Sequence, residues 1–481
     1  MSTPAPTAER QRLPVPEGTV PVAVALLIAG IATYAFFVVG KIAVGGDEEF
    51  EPIVSLWFAT FALAPGFFLP LEQELGRALA HRRALGQGTR PVVQKVVGLA
   101  SVLVVVIVVA ILALSPLIAS SYFDGDWFMV VALVCTFIAY APAHIARGVC
   151  SGSGRFRDYA VIMGSDGVVR IALCLLLFVV GVTTAGVYGL AVALSPLFAV
   201  GYVWRRGALR SIPNDPVVAA GAISDGRLPL DPDDPARPGA TDEAAGLTAG
   251  GEGPPAEWSE VTPNLGWLLL GSVFAASLLN AGPITASLLA EPNESEFVTQ
   301  FAYGVLLARI PLFLFQAVQA ALLPRLSRLA AQGQLAEFRS GLTRLLFVVV
   351  GVGVVGTSGA FLLGPFVIEI VYGADLTGRT LAVLALGSAC YMLALAFAQA
   401  VIALKGHALV AAGWGVGVVT FVVVTAVASD ELFRRIELGL LASSIAALLF
   451  FVFALRQRLA AGAVPDRGSV IQAITDQPFE S

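Results

Sequence analysis

Hydrophobic residues along this chain form twelve long runs, separated by short polar segments and one long polar segment. The runs cover roughly residues 19–44, 52–71, 97–120, 127–146, 160–183, 187–204, 262–289, 298–323, 343–364, 379–404, 408–428 and 436–455. Each run holds about 20 residues, which is enough for a helix to cross about 30 Å of hydrocarbon. The short alternating segments of a membrane β-barrel do not occur in the sequence. The pattern predicts an all-α polytopic membrane protein with about 12 transmembrane helices.

The long polar segment separates six runs from the other six. It is dense in Pro, Gly and Asp and poor in hydrophobic residues, a composition typical of disorder. The predicted organisation is a disordered tail at 1–18, a six-helix bundle at 19–204, a disordered linker at 205–261, a second six-helix bundle at 262–457 and a tail at 458–481. We interpret the linker as a tether, with a binding role as the alternative.

Charged residues are distributed unequally between the segments that join the runs. Segments after even-numbered runs are basic, with Arg77, Arg82, Arg83, Arg155, Arg157, Arg325 and Lys405 among them. Segments after odd-numbered runs are mainly acidic, with Asp47, Glu48, Glu49, Asp124, Glu291, Glu294 and Asp430 among them. Basic segments stay in the cytoplasm, so both termini and the linker are predicted to be cytoplasmic.

The amino-acid composition indicates where in the cell the protein resides. Hydrophobic residues make up 57% and charged residues 13% of the 481 residues, which is more apolar surface than a soluble protein could bury. The first run is too long for a signal-peptide core and is interpreted as an uncleaved span. Lysine occurs at three positions only and the other basic residues are Arg, which suggests a GC-rich bacterial genome. We therefore expect a multi-pass protein of a bacterial cytoplasmic membrane.

The two halves of the chain repeat the same features in the same order. Each half has a Leu-Pro pair predicted to end a run before a basic segment, and a later proline predicted to close the next run. These residues are Leu69-Pro70 and Pro116 in the first half, and Leu323-Pro324 and Pro365 in the second. Corresponding runs cross the membrane in the same direction, which predicts a parallel repeat about an axis along the membrane normal. Convergence of cytoplasmic segments on Arg and Pro is the alternative.

Ionisable residues inside the runs are the main candidates for a functional site. Arg309 lies near the middle of its run, where a charge costs about 3 kcal/mol to insert. Its guanidinium could bind a phosphate-containing headgroup, or it could donate to carbonyl groups freed by Pro311. Asp166 and Arg170 are four residues apart, the spacing of an intrahelical ion pair. Alternatively, Asp166 exchanges Arg170 for substrate or a proton.

Other polar residues could line a substrate path. Asn280, Gln316, Gln319 and Gln399 lie inside runs, where sugar hydroxyl groups would need partners, and hydrogen bonds between helices are the slightly favoured alternative for each residue singly. Lys41 lies at the end of the first run, where it could snorkel to the surface or line an exit path. The sequence has no Walker A motif, metal-ligand cluster or nucleophile elbow. We expect no enzyme activity, no cofactor, no metal and no nucleic-acid partner.

Several segments resemble a known family. They are LLNAGPITASLL, VLLARIPLFLFQAVQAALLPRLSRLAAQG, LLGPFVIEIVYG and FAQAVIALKGH in the second half, and GSGRFRDYAVIMGSDGVVRIAL in the first. These segments resemble the polysaccharide-flippase (Wzx-like) branch of the MOP exporter superfamily, which also contains the multidrug MATE exporters. The resemblance implies two six-helix bundles around a central cleft that works by alternating access.

The resemblance also implies a substrate and partners. Flippases of this branch move undecaprenyl-diphosphate-linked oligosaccharide from the cytoplasmic to the outer leaflet for cell-surface polysaccharide biosynthesis. The expected partners are an anionic lipid-linked glycan and membrane lipids, with a glycan polymerase and glycosyltransferases beside them. The alternative is a cation-coupled MATE-type multidrug exporter, which Arg309 opposes because cationic drugs need acidic cavities and only Asp166 qualifies. A scaffold for a glycan polymerase is a third hypothesis, which leaves Arg309 unexplained.

Overall fold

The computed structural model describes residues 19–84, 87–205, 258, 264–291, 294–312, 315, 326, 329–330 and 333–460. Regular structure in these ranges is helical, and no β-strand occurs in them. The helices are α1 (Thr19–Val44), α2 (Asp47–Ala84), α3 (Arg90–Ala113), α4 (Ser115–Tyr122), α5 (Trp127–Gly152), α6 (Phe156–Val180), α7 (Ala185–Arg205), α8 (Leu265–Leu289), α9 (Ser295–Ala308), α10 (Leu335–Tyr372), α11 (Gly378–Ala403), α12 (His407–Val427) and α13 (Leu432–Ala460).

Eleven helices in these ranges are long and apolar enough to cross a membrane, and they include all of the above except α4 and α9. This confirms the prediction of a polytopic all-α membrane protein. The predicted run at 298–323 is covered only in part, by α9 and the turn that follows it. Most of the predicted tails and linker, together with Leu323-Pro324, Gln316 and Gln319, lies outside the described residues.

The outer faces of several helices are apolar, as a lipid environment requires. Val102, Val105 and Val109 share one face of α3 and are 62, 60 and 59% exposed. A soluble protein would rarely leave so large an apolar patch in water. The exposed faces therefore contact hydrocarbon.

Two prolines lie inside helices that they were predicted to end. Helix α2 continues through Pro70 to Ala84, and α10 continues through Pro365 to Tyr372, so both predictions are wrong. A proline removes one backbone hydrogen bond and kinks a helix, but neighbouring groups in a membrane protein can satisfy the freed carbonyl. Pro116 instead lies in the first turn of α4, after a break at Leu114. The first turn tolerates proline because its N–H groups have no helical partner.

The two halves pack by the same plan. In the first half, α1 packs on α6, α2 on α5, and both α5 and α6 on α7. In the second half, the corresponding pairs are α8 with α12, α9 with α11, and both α11 and α12 with α13. The helix order and the packing partners therefore repeat, as expected of a parallel repeat.

Successive spans alternate in direction, which gives the molecule two distinct ends. Segments 45–46, 123–126, 290–291 and 373–377 lie at one end, called the Gly45 end. Segments 87–89, 153–155 and 404–406 lie at the other, called the Lys405 end.

Helices α2 and α8 form the main contact between the halves. The hydroxyl oxygens of Ser55 and Ser287 lie 2.6 Å apart toward the Gly45 end. Further along, Ser272 donates to the carbonyl oxygen of Pro65 at 3.3 Å. A side chain at Gly66 would place its Cβ 3.1 Å from the Cα of Val273, so glycine is what lets the two backbones approach there.

Candidate functional site

Arg309 lies where α9 ends, between the two halves. It caps α9, and the chain resumes a helical turn at residues 310–312. Pro311 explains the break, because it cannot donate to the carbonyl of Leu307 four residues earlier and its ring clashes with that group. The side chain of Arg309 is buried, with 8% of the residue exposed.

The partners of Arg309 lie on α8. Its Nη1 donates to Oδ1 of Asn280 at 3.0 Å, and its Nη2 donates to the carbonyl oxygen of Leu279. That carbonyl lies four residues before Pro283, which has no N–H to bond it. Arg309 therefore satisfies a backbone acceptor that a proline in the neighbouring helix leaves free. The sequence hypothesis identified this kind of contact but named the wrong proline, Pro311.

No carboxylate neutralises Arg309 among the described residues, whose ion pairs involve other side chains. The partners described above are a neutral amide and a carbonyl, and the ring of Phe58 from the first half lies 5.3 Å from its Cζ. A cation over an aromatic ring gains some stabilisation, but a buried charge without a counter-ion remains costly. The site therefore carries a net positive charge that an anion could neutralise.

A small cavity adjoins Arg309 in the second half. Its volume is about 30 Å³, and the hydroxyl-bearing residues Ser388, Tyr391 and Ser444 line it together with apolar side chains. A buried water needs about 10–15 Å³ of such space, so the cavity has room for about two waters. Among the described residues, this space beside Arg309 is too small for a sugar or a drug.

The second charged centre lies in the first half. Arg170 Nη2 and Asp166 Oδ2 are 2.5 Å apart on α6, which is the ion pair that their spacing predicted. Ser195 of α7 donates to Asp166 Oδ1 at 2.6 Å, and Arg170 also donates to the Tyr140 hydroxyl at 3.2 Å. The guanidinium Cζ lies 4.6 Å from the centre of the Trp57 ring. One cation and one anion make this centre neutral, in contrast to the site of Arg309.

The two members of the pair differ in accessibility. The Arg170 side chain is 3% exposed and the Asp166 side chain 20%. Arg170 also has a buried Nε without a hydrogen-bond partner. Asp166 is therefore the more accessible member of the pair, whereas the guanidinium of Arg170 lies against the rings of Trp57 and Phe61.

The remaining predicted site residues are not gathered at these centres. Lys41 lies at the Gly45 end, where its Nζ donates to Asp47 Oδ2 at 2.8 Å and to the carbonyl oxygen of Tyr372 at 2.6 Å. Gln399 is half-buried on α11 and does not line the cavity beside Arg309. Asn280 alone among the predicted uncharged residues contacts Arg309 in the part of the chain that the structure describes.

The sequence pattern does not predict a buried polar network that lies in the first half, toward the Lys405 end. Glu72 of α2 lies 2.8 Å from His144 Nδ1 and accepts from Arg147 Nε at 3.0 Å and from the Tyr159 hydroxyl at 2.9 Å. The sequence pattern predicts that Pro70 ends the helix, which would place Glu72 in the basic segment that follows. The spacing of His144 and Arg147, three residues apart on one helix, was the available signal.

Comparisons with known proteins come from structure alone, since no protein-family model and no curated protein matches the sequence. The chain is similar to a multidrug resistance MATE family transporter of the MOP superfamily in an inward-facing conformation, with a TM-score of 0.62 and 14% identity, covering 92% of this chain and 98% of that chain. An outward-facing conformation of such a transporter matches with a TM-score of 0.63 and 13% identity, covering 93% of this chain and 96% of that chain. The Vibrio cholerae MATE transporter VcmN in its bent form matches with a TM-score of 0.55 and 12% identity, covering 92% of this chain and 98% of that chain.

These similarities show the fold. The chain has the architecture of the MATE transporters of the MOP superfamily, as the sequence resemblance predicted. The neighbours are described as transporters and not as enzymes. The inward-facing and outward-facing structures match almost equally well. The similarity is therefore one of fold and is shared by both conformational states.

Proposed function

We propose that this protein flips undecaprenyl-diphosphate-linked oligosaccharide from the cytoplasmic to the outer leaflet of a bacterial membrane, for cell-surface polysaccharide biosynthesis. The observation that carries the proposal is that Arg309 is buried without a carboxylate partner among the described residues. This arginine is 8% exposed and lies against Phe58 of the opposite half, and its described partners are uncharged.

The charge balance favours an anionic over a cationic cargo. In the first half, Asp166 is neutralised by Arg170 at 2.5 Å, so it offers a cationic drug little net attraction. In the second half, Arg309 adds a positive charge that would repel such a drug. A planar guanidinium can meet a phosphate group with two parallel hydrogen bonds. A diphosphate headgroup would therefore compete well with the neutral Asn280 and Leu279 acceptors.

The fold suggests how a headgroup could cross while the lipid tail stays in the bilayer. Two bundles with equivalent packing can rock against one another around a site at their interface, as parallel-repeat transporters do. The cavity beside Arg309 holds only about two waters, so the helices around it must move apart before a sugar can enter. Ser388, Tyr391 and Ser444 would then offer hydroxyl groups to the glycan. In this scheme the acidic Gly45 end faces outward, and Asp166 exchanges Arg170 for substrate or a proton.

The test compares two neighbouring variants in a strain that depends on this protein for surface glycan. Arg309→Ala removes the charge and should abolish export, with lipid-linked precursor accumulating inside the cell. Asn280→Ala removes a partner of Arg309 but keeps the charge, and should retain most export. Arg309→Lys keeps the charge without the planar fork and should fall between the two. Protein levels and melting temperatures identify variants that fail to fold.

Two outcomes would contradict the proposal. Normal glycan export by a well-expressed Arg309→Ala protein would remove the assigned role of the arginine. Efflux of cationic drugs that depends on Asp166 and persists or improves in Arg309→Ala would favour the multidrug exporter. If glycosyltransferases and a glycan polymerase co-purify with the protein, their association supports the expected partners.

A further inference from the structure

A cluster of polar contacts joins the two halves at the Gly45 end. Lys41 of α1 donates to the carbonyl oxygen of Tyr372 of α10 at 2.6 Å. The Tyr303 hydroxyl of α9 donates to Oδ1 of Asp47 of α2 at 2.7 Å. The Thr299 hydroxyl, also on α9, donates to the backbone carbonyl oxygen of Asp47 at 2.9 Å. Lys41 and Asp47 also form an ion pair of 2.8 Å within the first half. These five residues are called the latch.

The charged side chains of the latch lie at helix ends whose dipoles have the opposite sign. Tyr372 is the last residue of α10, where carbonyl groups lack helical donors and the helix dipole is negative. The ammonium group of Lys41 binds there. Asp47 is the first residue of α2, where the dipole is positive. The ion pair is only partly exposed, at 21% for Lys41 and 8% for Asp47, so salt screens it incompletely.

Aromatic packing extends the latch toward the middle of the molecule. Tyr34, Phe37 and Lys41 have the spacing of one face of α1, and all three contact the second half. The rings of Tyr303 and Tyr372 stack at 4.2 Å with an interplanar angle of 7°. The Phe37 ring meets Tyr303 edge-on at 6.2 Å. The latch is therefore part of a continuous interface and not an isolated surface ion pair.

The same interface reaches the helix break at Arg309. The Tyr34 hydroxyl donates to the carbonyl oxygen of Leu306 at 2.8 Å. That carbonyl also accepts from the backbone N–H of Arg309 at 3.1 Å. A movement of Arg309 away from α8 would shift the last turn of α9, and with it the contacts of Tyr34 and Tyr303.

We propose that the latch holds the Gly45 end closed, and that an anion bound by Arg309 opens it. An anionic headgroup competes with Asn280 and Leu279 for the guanidinium, so binding draws the end of α9 away from its present position. The hydrogen bond from Tyr34 to Leu306 and the bond from Tyr303 to Asp47 then break together. The opening by an anion rests on the proposed function, whereas the closing role of the latch does not.

The experiment measures closure directly on purified full-length protein. A Ser55→Cys reporter is introduced after Cys135, Cys150, Cys174 and Cys390 have been replaced. Ser55 is 1% exposed and lies against Ser287 across the two halves, so a maleimide should reach Cys at this position only when the Gly45 end opens. Tyr303→Phe removes the bond to Asp47 and keeps the ring stack, and Tyr34→Phe removes the bond to Leu306.

A matched control exists within one half. The Tyr188 hydroxyl donates to the carbonyl oxygen of Val182 at 2.8 Å, so Tyr188→Phe removes a similar bond without touching the interface. We expect Tyr303→Phe and Tyr34→Phe to label about fivefold faster than the control, the factor that one ordinary hydrogen bond contributes to an equilibrium. Equal labelling of all three would overturn the latch.

Inorganic diphosphate tests the coupling to Arg309. Diphosphate should speed labelling of the reporter protein and have no effect when Arg309→Ala is also present. If the tyrosine variants speed labelling but diphosphate does not, the proposed opening by an anion at Arg309 is wrong, and the closing role of the latch is retained. Because labelling needs no cells, its result stays separate from glycan export, which tests the proposed function by itself.

Discussion

The hydroxyl oxygen of Ser195 lies 2.6 Å from Oδ1 of Asp166 and 3.1 Å from the carbonyl oxygen of Val192. Val192 lies four residues before Pro196, so its carbonyl has no helical donor. One hydroxyl hydrogen thus serves two acceptors, a carboxylate on α6 and a backbone group on α7. The same principle governs Arg309, which serves the carbonyl that Pro283 frees.

Ser195→Ala should therefore destabilise the protein. Ser195 is fully buried, and the substitution leaves the Val192 carbonyl and one carboxylate oxygen of Asp166 without their donor, at a cost of about 1–3 kcal/mol. The melting temperature of the purified protein measures the effect. Ser101→Ala is the control, because Ser101 is exposed and its hydroxyl donates to the Val97 carbonyl of its own helix at 2.8 Å. A loss as small as that of Ser101→Ala would show that Ser195 is not needed by either acceptor.

The ion pair of Asp166 and Arg170 should show strong coupling in a double-mutant cycle. Asp166→Asn alone leaves a buried cation without a counter-charge, which typically costs about 3–5 kcal/mol. Arg170→Met alone leaves the carboxylate with Ser195 only. The double variant should be more stable than the sum of the two losses implies, as measured by thermal unfolding. Additive losses would indicate that the two charges do not depend on each other.

Glu72→Gln should be far more damaging than Glu74→Gln, although the two residues are neighbours. Glu72 is buried and bonds Arg147, His144 and Tyr159, so its loss leaves a cation unpaired at a cost of about 3–5 kcal/mol.

The matched residue Glu74 pairs with Arg77, whose side chain is 53% exposed. Although the Glu74 side chain is only 11% exposed, its exposed arginine partner keeps the pair open to solvent, and such pairs contribute about 0–1 kcal/mol. Melting temperatures of both variants give the comparison. Similar values would mean that the buried network does not stabilise α2 against α5 and α6.

Pro283→Ala should weaken the attachment of Arg309. Alanine restores an N–H that can bond the Leu279 carbonyl, so Arg309 would have to share that acceptor. We expect α8 to straighten and glycan export to fall, while the protein remains folded. Pro142→Ala in α5 is the control, since it also removes a proline from a helix interior but far from Arg309 in sequence. An unchanged export rate in Pro283→Ala would show that the kink is not needed to hold the arginine.

Local spacing in the sequence predicted some of these contacts and could not predict others. The pair of Asp166 and Arg170 follows from residues four apart on one helix. The bond from Lys41 to Tyr372 joins residues 331 positions apart and depends on how the halves dock, so no local pattern reveals it.

The prolines illustrate a second limit. Pro70 and Pro365 were expected to end helices, yet both are accommodated within α2 and α10. Whether a membrane helix survives a proline depends on its neighbours, which donate to the freed carbonyl. The sequence shows the proline but not the donor, and this error concealed Glu72.

The uninterrupted course of α2 has a mechanical consequence. Its 38 residues span about 57 Å at 1.5 Å per residue, almost twice the hydrocarbon thickness. Asp47 is anchored at one tip by Tyr303 and Thr299, and Glu72 is fixed to α5 and α6 further along. A helix held in this way acts as a lever. Pivoting by about 10° at the Asp47 tip would sweep the opposite tip through about 10 Å over that length, which converts a small shift at one face of the membrane into a wide opening at the other.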